Sequence, residues 1–249
     1  MELSAVELAA LEALHFDLDG FVQLRGQLRD GTFPDNALTD SVSPPPPGAI
    51  TELPSGPEAA SNAEIGRGLL AKGEAALVLL NGGMATRFGG RVKGVVEALP
   101  GRSFLALQMA RMAELGSCPL LVMNSHATDD ITAQHLKDND SFGMSGVDLF
   151  TFKQAAAPRV RPDASLYRDA RGNLSLYGPG HGDLLPSLRR SGALSWLRER
   201  GVRYLLVANV DNLAATLDPE LLGLFSATSS EMMAEVCRKE QHDVGGCPA

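Results

Sequence analysis

The sequence has little cysteine and little positive charge, and each shortage excludes a class of protein. Three cysteines in 249 residues are too few and too scattered for a disulfide framework, and none has zinc-ligand spacing with histidines nearby. A net charge of -8 argues against a general nucleic-acid binder, which presents a basic surface. No apolar run reaches the length of about 20 residues that crosses a bilayer, and the N-terminus lacks the pattern of a signal peptide. We therefore expect a cytoplasmic protein with no nucleic-acid or membrane partner.

The sequence also lacks the two commonest phosphate-binding loops. A Walker A loop needs a glycine and a lysine followed by Ser or Thr, and no such run occurs. The glycines of the stretch "LVLLNGGMATRFGGRVKG" do not have the G-x-G-x-x-G spacing of a dinucleotide fingerprint. In both motifs a helix begins at once, whereas here the next predicted helix waits until about Ser103. This glycine-rich loop is either a phosphate site of another kind or a mobile surface loop.

What is present divides the chain into two parts. Residues 1–30 have the apolar spacing of a helix, and residues 34–57 hold repeated prolines, which exclude a long helix or a central strand. We interpret residues 1–61 as an N-terminal helix and a proline-rich connector, which is either extended along the main domain or a disordered linker. Residues 62–249 form the predicted main domain.

In this domain, strands and helices alternate, which favours a doubly wound α/β sheet. The predicted strands lie at residues 75–81, 119–124, 148–154 and 203–211, and the predicted helices at 64–73, 103–116, 128–139, 183–201 (two short helices) and 219–225. Ligands of such sheets bind beyond the carboxyl ends of the strands. Gly82, Asn124, Gln154 and Asp211 each lie at or just past a predicted strand end, so they are expected to meet in one crevice.

The residues after the first strand suit an anion. Gly82 and Gly83 allow the backbone to come close to a ligand, and successive N–H groups form a concave anion site. Arg87 and Lys93 add full positive charges, which predicts contact with a polyphosphate. The alternative for either side chain is an ordinary surface position.

The same stretch resembles the signature of the UTP–glucose-1-phosphate uridylyltransferases and related UDP-sugar pyrophosphorylases, L-x-G-G-x-G-T-R/S followed by a lysine. Met84 and Ala85 stand where leucine and glycine are commoner. Further segments resemble family motifs and occur in family order: "PLLVMNSHATDD", "FKQAAAPRV", "YGPGHGDLLPSL", "LLVANVDNL" and "EVCRKEQHDVGG".

The resemblance implies a fold and a reaction. The fold is a Rossmann-like, doubly wound mixed sheet of the nucleotide-sugar transferase type, here incomplete at the C-terminus. The reaction is that of UTP with a sugar 1-phosphate, giving a UDP-sugar and pyrophosphate, with glucose 1-phosphate as the preferred sugar. A UDP-N-acetylhexosamine pyrophosphorylase is the alternative within the family, and a generic α/β protein with a structural glycine loop is the alternative outside it.

The residue types and the resemblance together give each site residue an expected role. The expected catalytic residues are Arg87 and Lys93; the nucleotide-binding residues are Gly82, Gly83, Met84, Ala85, Gln154 and Gly180; the substrate-binding residues are His181 and Asn209; the metal ligand, for Mg²⁺, is Asp211. Asp211 as a helix cap and His181 as a structural histidine are the alternatives. Asn124 and Ser125 are weaker candidates, and His126 has no predicted role.

The resemblance stops at "DVGGCPA", whereas chains of the family continue past this point. We therefore expect this chain to hold only part of the fold, with a sheet edge open to association. It is either a truncated, catalytically impaired nucleotide-binding module or a piece that a second chain completes.

Overall fold

The computed structural model describes residues 3–32, 43, 45–85, 90–144, 148–237, 240 and 242. The helices are α1 (Ala5–Glu12), α2 (Leu18–Arg29), α3 (Pro57–Ala71), α4 (Phe104–Leu115), α5 (Asp129–Asp138), α6 (Leu184–Arg190), α7 (Ala193–Glu199) and α8 (Pro219–Ser226). The strands are β1 (Ala75–Asn81), β2 (Met84–Ala85), β3 (Arg91–Val92), β4 (Glu97–Leu99), β5 (Arg102–Ser103), β6 (Leu120–Asn124), β7 (Leu149–Lys153), β8 (Ala157–Pro158), β9 (Leu176–Tyr177) and β10 (Tyr204–Asn209).

A four-stranded parallel sheet with the order β10-β1-β6-β7 forms the centre of the fold. Residues of β1 that face one side, Ala76 and Val78, belong to a buried cluster with Leu188 of α6 and Leu197 of α7. Leu79, which faces the other side, is also fully buried. Because both faces of β1 are covered, its sequence is apolar throughout instead of alternating.

The predicted α/β fold is confirmed, and its long elements lie where the sequence indicates them. The Ser103 hydroxyl caps α4 by accepting the Ala106 N–H at 3.1 Å, as its position before an apolar helix predicts. Gly116 ends the same helix with a φ of +68°, a conformation that glycine adopts without strain. The central sheet is parallel throughout. In the described part of the chain, antiparallel pairing occurs in the short ribbons β2–β3, β4–β5 and β8–β9 and in two isolated bridges, Val160–Leu166 and Arg168–Leu174.

The helical N-terminal stretch is interrupted, in contrast to the single helix that its apolar spacing predicts. Ser4 and Glu7 form a reciprocal capping box at the start of α1. The Asp17 side chain accepts the Gly20 N–H at 3.0 Å and so begins α2 as a new helix. A residue with a positive φ, His15 at +58°, lies between them and turns the chain.

The chain forms two compact units. One holds Met1–Phe33 and Leu69–Leu217, and the other holds Pro34–Gly68 and Asp218–Ala249. In the second unit, a Cβ on Gly66 would lie 1.8 Å from the Pro219 carbonyl oxygen, so this glycine permits the close approach of α3 and α8. The division that the sequence predicts after residue 61 stays a prediction. No helix in the described part of the chain has the length and apolar character of a membrane span.

Candidate functional site

A cleft of about 740 Å³ lies at the carboxyl edge of the parallel sheet, within the first unit. The predicted site residues that line it are Gly82, Gly83, Lys93, Gln154, Gly180, His181, Asn209 and Asp211. Of the other predicted residues, Met84 and Ala85 form β2, and nothing is described of their side chains. Arg87 lies outside the described residues.

The sheet order spreads these residues along the cleft. Asp211 follows β10, Gly82 follows β1, Ser125 follows β6 and Gln154 follows β7. Neighbouring strands are about 4.8 Å apart, so the three strand intervals from β10 to β7 span about 14 Å. The cleft therefore has two distinct ends and is long enough for an extended ligand.

The β10 end of the cleft carries an ion pair. Lys93 Nζ lies 2.8 Å from Asp211 Oδ2, and the two side chains are 38% and 34% exposed. Because both groups remain open to solvent, each is accessible to a ligand that would compete for it. An ammonium and a carboxylate at one place give this end a donor for anions and a hard oxygen for a cation.

The position of Lys93 depends on a buried network at the end of β1. The Asn81 amide donates to Asn124 Oδ1 and to Thr132 Oγ1, each at 2.9 Å. Asn81 Oδ1 accepts the Gly94 N–H at 3.1 Å. Asn81 is fully buried, so it links the ends of β1 and β6 to the backbone next to Lys93. Asn81 is not among the predicted site residues, although a polar residue that ends an apolar strand is a usable signal.

The β7 end of the cleft holds the Gln154 amide in one orientation. Gln154 is 4% exposed, and its Oε1 accepts the Gly180 N–H at 3.0 Å. A Cβ on Gly82 would lie 2.3 Å from Gln154 Nε2, and a Cβ on Gly178 would lie 2.6 Å from the same atom. The amide is therefore clamped between two glycines, and it has a donor group left for a ligand.

The turn that carries Gly180 is anchored by Asp183, another residue that the sequence analysis did not single out. Asp183 Oδ2 accepts the backbone N–H of Ala155 at 2.7 Å and the Ser187 hydroxyl at 2.7 Å, and Arg190 lies 2.8 Å from it. Burial raises the pKa of Asp183, but hydrogen bonds from Arg190, Ala155 and Ser187 together hold that pKa below its usual value. The carboxylate thus stays charged and ties this turn to the residue after Gln154.

His126 and Arg159 also line the cleft, and neither was assigned a role from the sequence. Arg159 donates to Ser175 Oγ at 3.0 Å and to the Leu176 carbonyl at 2.6 Å, so it fixes β9 beside β8. His126 Nδ1 is shielded from solvent and has no hydrogen-bonding partner among the described residues. The signal for His126 was its position just past the predicted strand at 119–124, whereas Arg159 follows β8, which the sequence does not predict.

A metal would find few protein ligands here. Among the described residues, no group of three or more His, Cys, Asp or Glu side chains could hold a metal ion. Asp211 and the neighbouring Asn209 are the oxygen-bearing side chains at the β10 end. Such a set suits an ion that takes most of its ligands from water and from a bound phosphate.

Fold and cleft together define the class: a parallel α/β protein with an extended polar ligand site at the carboxyl ends of its strands. Comparison with known proteins gives the family. The family "UTP–glucose-1-phosphate uridylyltransferase" matches residues 18–247. The chain belongs to this family.

Individual relatives agree with this assignment. The chain is 31% identical over 247 residues to the probable UTP–glucose-1-phosphate uridylyltransferase of Schizosaccharomyces pombe, covering 95% of this chain and 47% of that one. The solved UDP-glucose phosphorylase of Trypanosoma brucei is 31% identical with a TM-score of 0.55, over 64% of this chain and 35% of that chain. The uridine diphosphate N-acetylglucosamine pyrophosphorylase of the same organism is 26% identical with a TM-score of 0.58, over 67% and 37%. The chain thus spans about half the length of the Schizosaccharomyces pombe protein, and less than half of each of the two solved chains.

Proposed function

We propose that the cleft binds UTP and a sugar 1-phosphate and transfers the uridylyl group to form a UDP-sugar and pyrophosphate. The observation that carries the proposal is the cleft itself, in which a clamped amide at one end faces an ammonium and a carboxylate at the other. Family membership and the names of the relatives support the same reaction. The activity belongs to relatives about twice as long, so for this chain it is a proposal.

The two ends of the cleft favour one orientation of the nucleotide. The Gln154 amide suits the base edge of uracil, which presents both donors and acceptors. Gly82 and Gly178 leave room for the amide itself, since a Cβ at these positions would lie 2.3 and 2.6 Å from Gln154 Nε2. The phosphates then extend past Gly83 towards Lys93, whose Cε would lie 3.9 Å from a Cβ on Gly83. The Gly180 N–H donates to Gln154 Oε1. Gly180 therefore contributes to base binding by holding the Gln154 amide in one orientation.

The transfer needs positioning and positive charge more than acid–base chemistry. A phosphate oxygen of the sugar 1-phosphate attacks the α-phosphorus of UTP, a new P–O bond forms, and the bond to the bridging oxygen of the β-phosphate breaks, releasing pyrophosphate. Lys93 suits the developing charge as a point donor, and Arg87 as a planar fork. Met84 and Ala85 would contribute backbone N–H groups, following the family signature.

We include Mg²⁺ in the proposal, with Asp211 as its protein ligand. When bound, the ion supplies positive charge that offsets the phosphate oxygens. Lys93 contacts only Oδ2 of Asp211, so the other carboxylate oxygen would be available to hold the ion. One carboxylate fits an ion that is held mainly by phosphate and water.

Glucose 1-phosphate is the sugar that we propose, with His181 and Asn209 as residues that contact it. The names of the Schizosaccharomyces pombe relative and of the Trypanosoma brucei UDP-glucose phosphorylase support glucose. An N-acetylhexosamine 1-phosphate is the second choice, supported by the name of the other solved protein. A cytoplasmic location completes the proposal, and the acidic net charge supports the expectation of no nucleic-acid partner.

A nucleotide-binding module without transfer activity is the second candidate function. It is favoured by the open edge of the sheet in the described part of the chain. β10 is an edge strand in the described sheet, and its Val207 is 41% exposed. An edge of this kind favours association with another strand, which would complete the sheet.

Two measurements on the 249-residue chain test these candidates. Calorimetric titration with UTP, with and without Mg²⁺, should give saturable binding that Mg²⁺ strengthens, and Asp211→Asn should remove that gain. Pyrophosphate release should then follow when glucose 1-phosphate is added, and more slowly with N-acetylglucosamine 1-phosphate. Binding without release would favour the module, and no binding of UTP would contradict both candidates.

A further inference from the structure

The turn after β6 places a rigid histidine in the cleft. The Ser125 carbonyl accepts the backbone N–H groups of Thr128 and Asp129 at 3.1 and 3.0 Å, and the Ser125 N–H donates to Thr128 Oγ1 at 2.9 Å. Ser125 and Thr128 are both buried. His126 lies inside this hydrogen-bonded turn, so its backbone is held in place before any ligand arrives.

The ring of His126 has a polar group that needs a partner. Its Nδ1 is shielded from solvent and makes no hydrogen bond to any described residue. A buried polar atom without a partner is unfavourable, so a ligand group that bonds to it would be favoured. Burial first, and then the positive charge of Arg159, lower the pKa of His126 below its ordinary value of 6.5. The ring is therefore neutral at pH 7, with one nitrogen that donates and one that accepts.

The sheet order places this ring at the base end of the cleft. His126 follows β6, which lies between β1 and β7, so it stands one strand from Gln154 and two from Asp211. Leu176 and Tyr177 of β9 line the same cleft, and apolar or aromatic walls suit a planar base. Arg159, the nearby cation, is already bonded to Ser175 and to the Leu176 carbonyl.

We propose that His126 is a further binding residue of this site and that its ring nitrogen contacts the nucleoside half of the nucleotide. The ligand group is a base carbonyl, a base N–H or a ribose hydroxyl. This inference rests on the proposed binding of UTP. It adds a contact that the nucleoside half of the ligand makes and the phosphates do not.

The test compares two ligands on the wild-type chain and on three variants. UMP carries the nucleoside, and pyrophosphate carries only phosphate; both are titrated calorimetrically into the 249-residue chain. His126→Phe keeps an aromatic ring without nitrogen and should weaken UMP binding about 5- to 30-fold, with pyrophosphate binding unchanged within about twofold. His126→Asn places an amide near the position of Nδ1 and should keep UMP affinity within about threefold of wild type. Lys93→Ala should weaken pyrophosphate binding.

Each other outcome has a definite meaning. Equal UMP affinity in wild type and His126→Phe would overturn the inference alone. Equal losses for UMP and pyrophosphate, together with a lower melting temperature by circular dichroism, would assign His126 a structural role and also overturn it. A wild-type chain that binds neither UTP nor UMP would overturn the proposed function, and this inference with it.

Discussion

Replacing Lys93 with methionine should weaken UTP binding strongly and destabilise the fold only slightly. Lys93 Nζ lies 2.8 Å from Asp211 Oδ2, and both side chains are more than a third exposed. An exposed ion pair adds about 0–1 kcal/mol to stability, so the free energy of unfolding should fall by less than about 1 kcal/mol. A hydrogen bond to a charged group contributes about 1.5–3 kcal/mol, which corresponds to a loss of about 10- to 150-fold in affinity for the triphosphate.

The matched control for this change is Lys72→Met. Lys72 is exposed and lies before β1, at the opposite edge of the sheet, so both variants lose one positive charge from the same protein. Calorimetry with UTP should separate them by more than tenfold in affinity (about 1.4 kcal/mol), while urea unfolding should give similar stabilities. Equal affinities for UTP in the two variants would refute a phosphate contact by Lys93, since long-range charge would then explain any effect.

Two further changes test the clamp at the base end and the N-terminal ion pair. Gly178→Ala brings a methyl group to 2.6 Å from Gln154 Nε2 and should weaken UMP binding on the order of tenfold by calorimetry. The control Gly182→Ala meets no atom within 4 Å and should leave UMP binding unchanged. Equal affinities of the two variants for UMP would contradict the clamp. A hydrogen bond from Arg168 lowers the pKa of Glu7 from 4.5 to about 2, so the stability that this pair contributes is present above pH 4.5 and is lost as the pH falls towards 2. Urea unfolding should therefore show that Glu7→Gln is less stable than wild type at pH 6 and equal to it below pH 2, and a difference that does not change with pH would contradict this.

The long elements of the fold could be predicted from the sequence because their signals are local. β1 is a continuous apolar run, Ser103 stands directly before an apolar helix, and Gly116 directly after it. β2–β5, β8 and β9 were not predicted, because strands of two or three residues are too short to show a periodicity. Their existence depends on the partner strand, which a local pattern does not contain.

The candidate site was predictable in composition and not in its contacts. The sequence places Gln154 and Asp211 at strand ends and therefore at one edge of the sheet. It does not indicate that Asp211 meets Lys93, since the two residues are 118 positions apart. Asn81 and Asp183 were overlooked for a related reason: their importance lies in buried hydrogen bonds that only the folded chain reveals.

Because the cleft has two ends, nucleotide binding and uridylyl transfer can be measured separately. The groups that we assign to the nucleotide in the described chain lie between Gly82 and Asp211, all within one compact unit. The sugar side has only His181 and Asn209 in our proposal. A transferase must hold both substrates in line at the α-phosphorus. If the chain binds UTP well but shows no turnover, the contacts that are missing are those to the sugar 1-phosphate. Turnover by the 249-residue chain would instead mean that a site with few sugar contacts is sufficient once the phosphates are held by Lys93 and its neighbours.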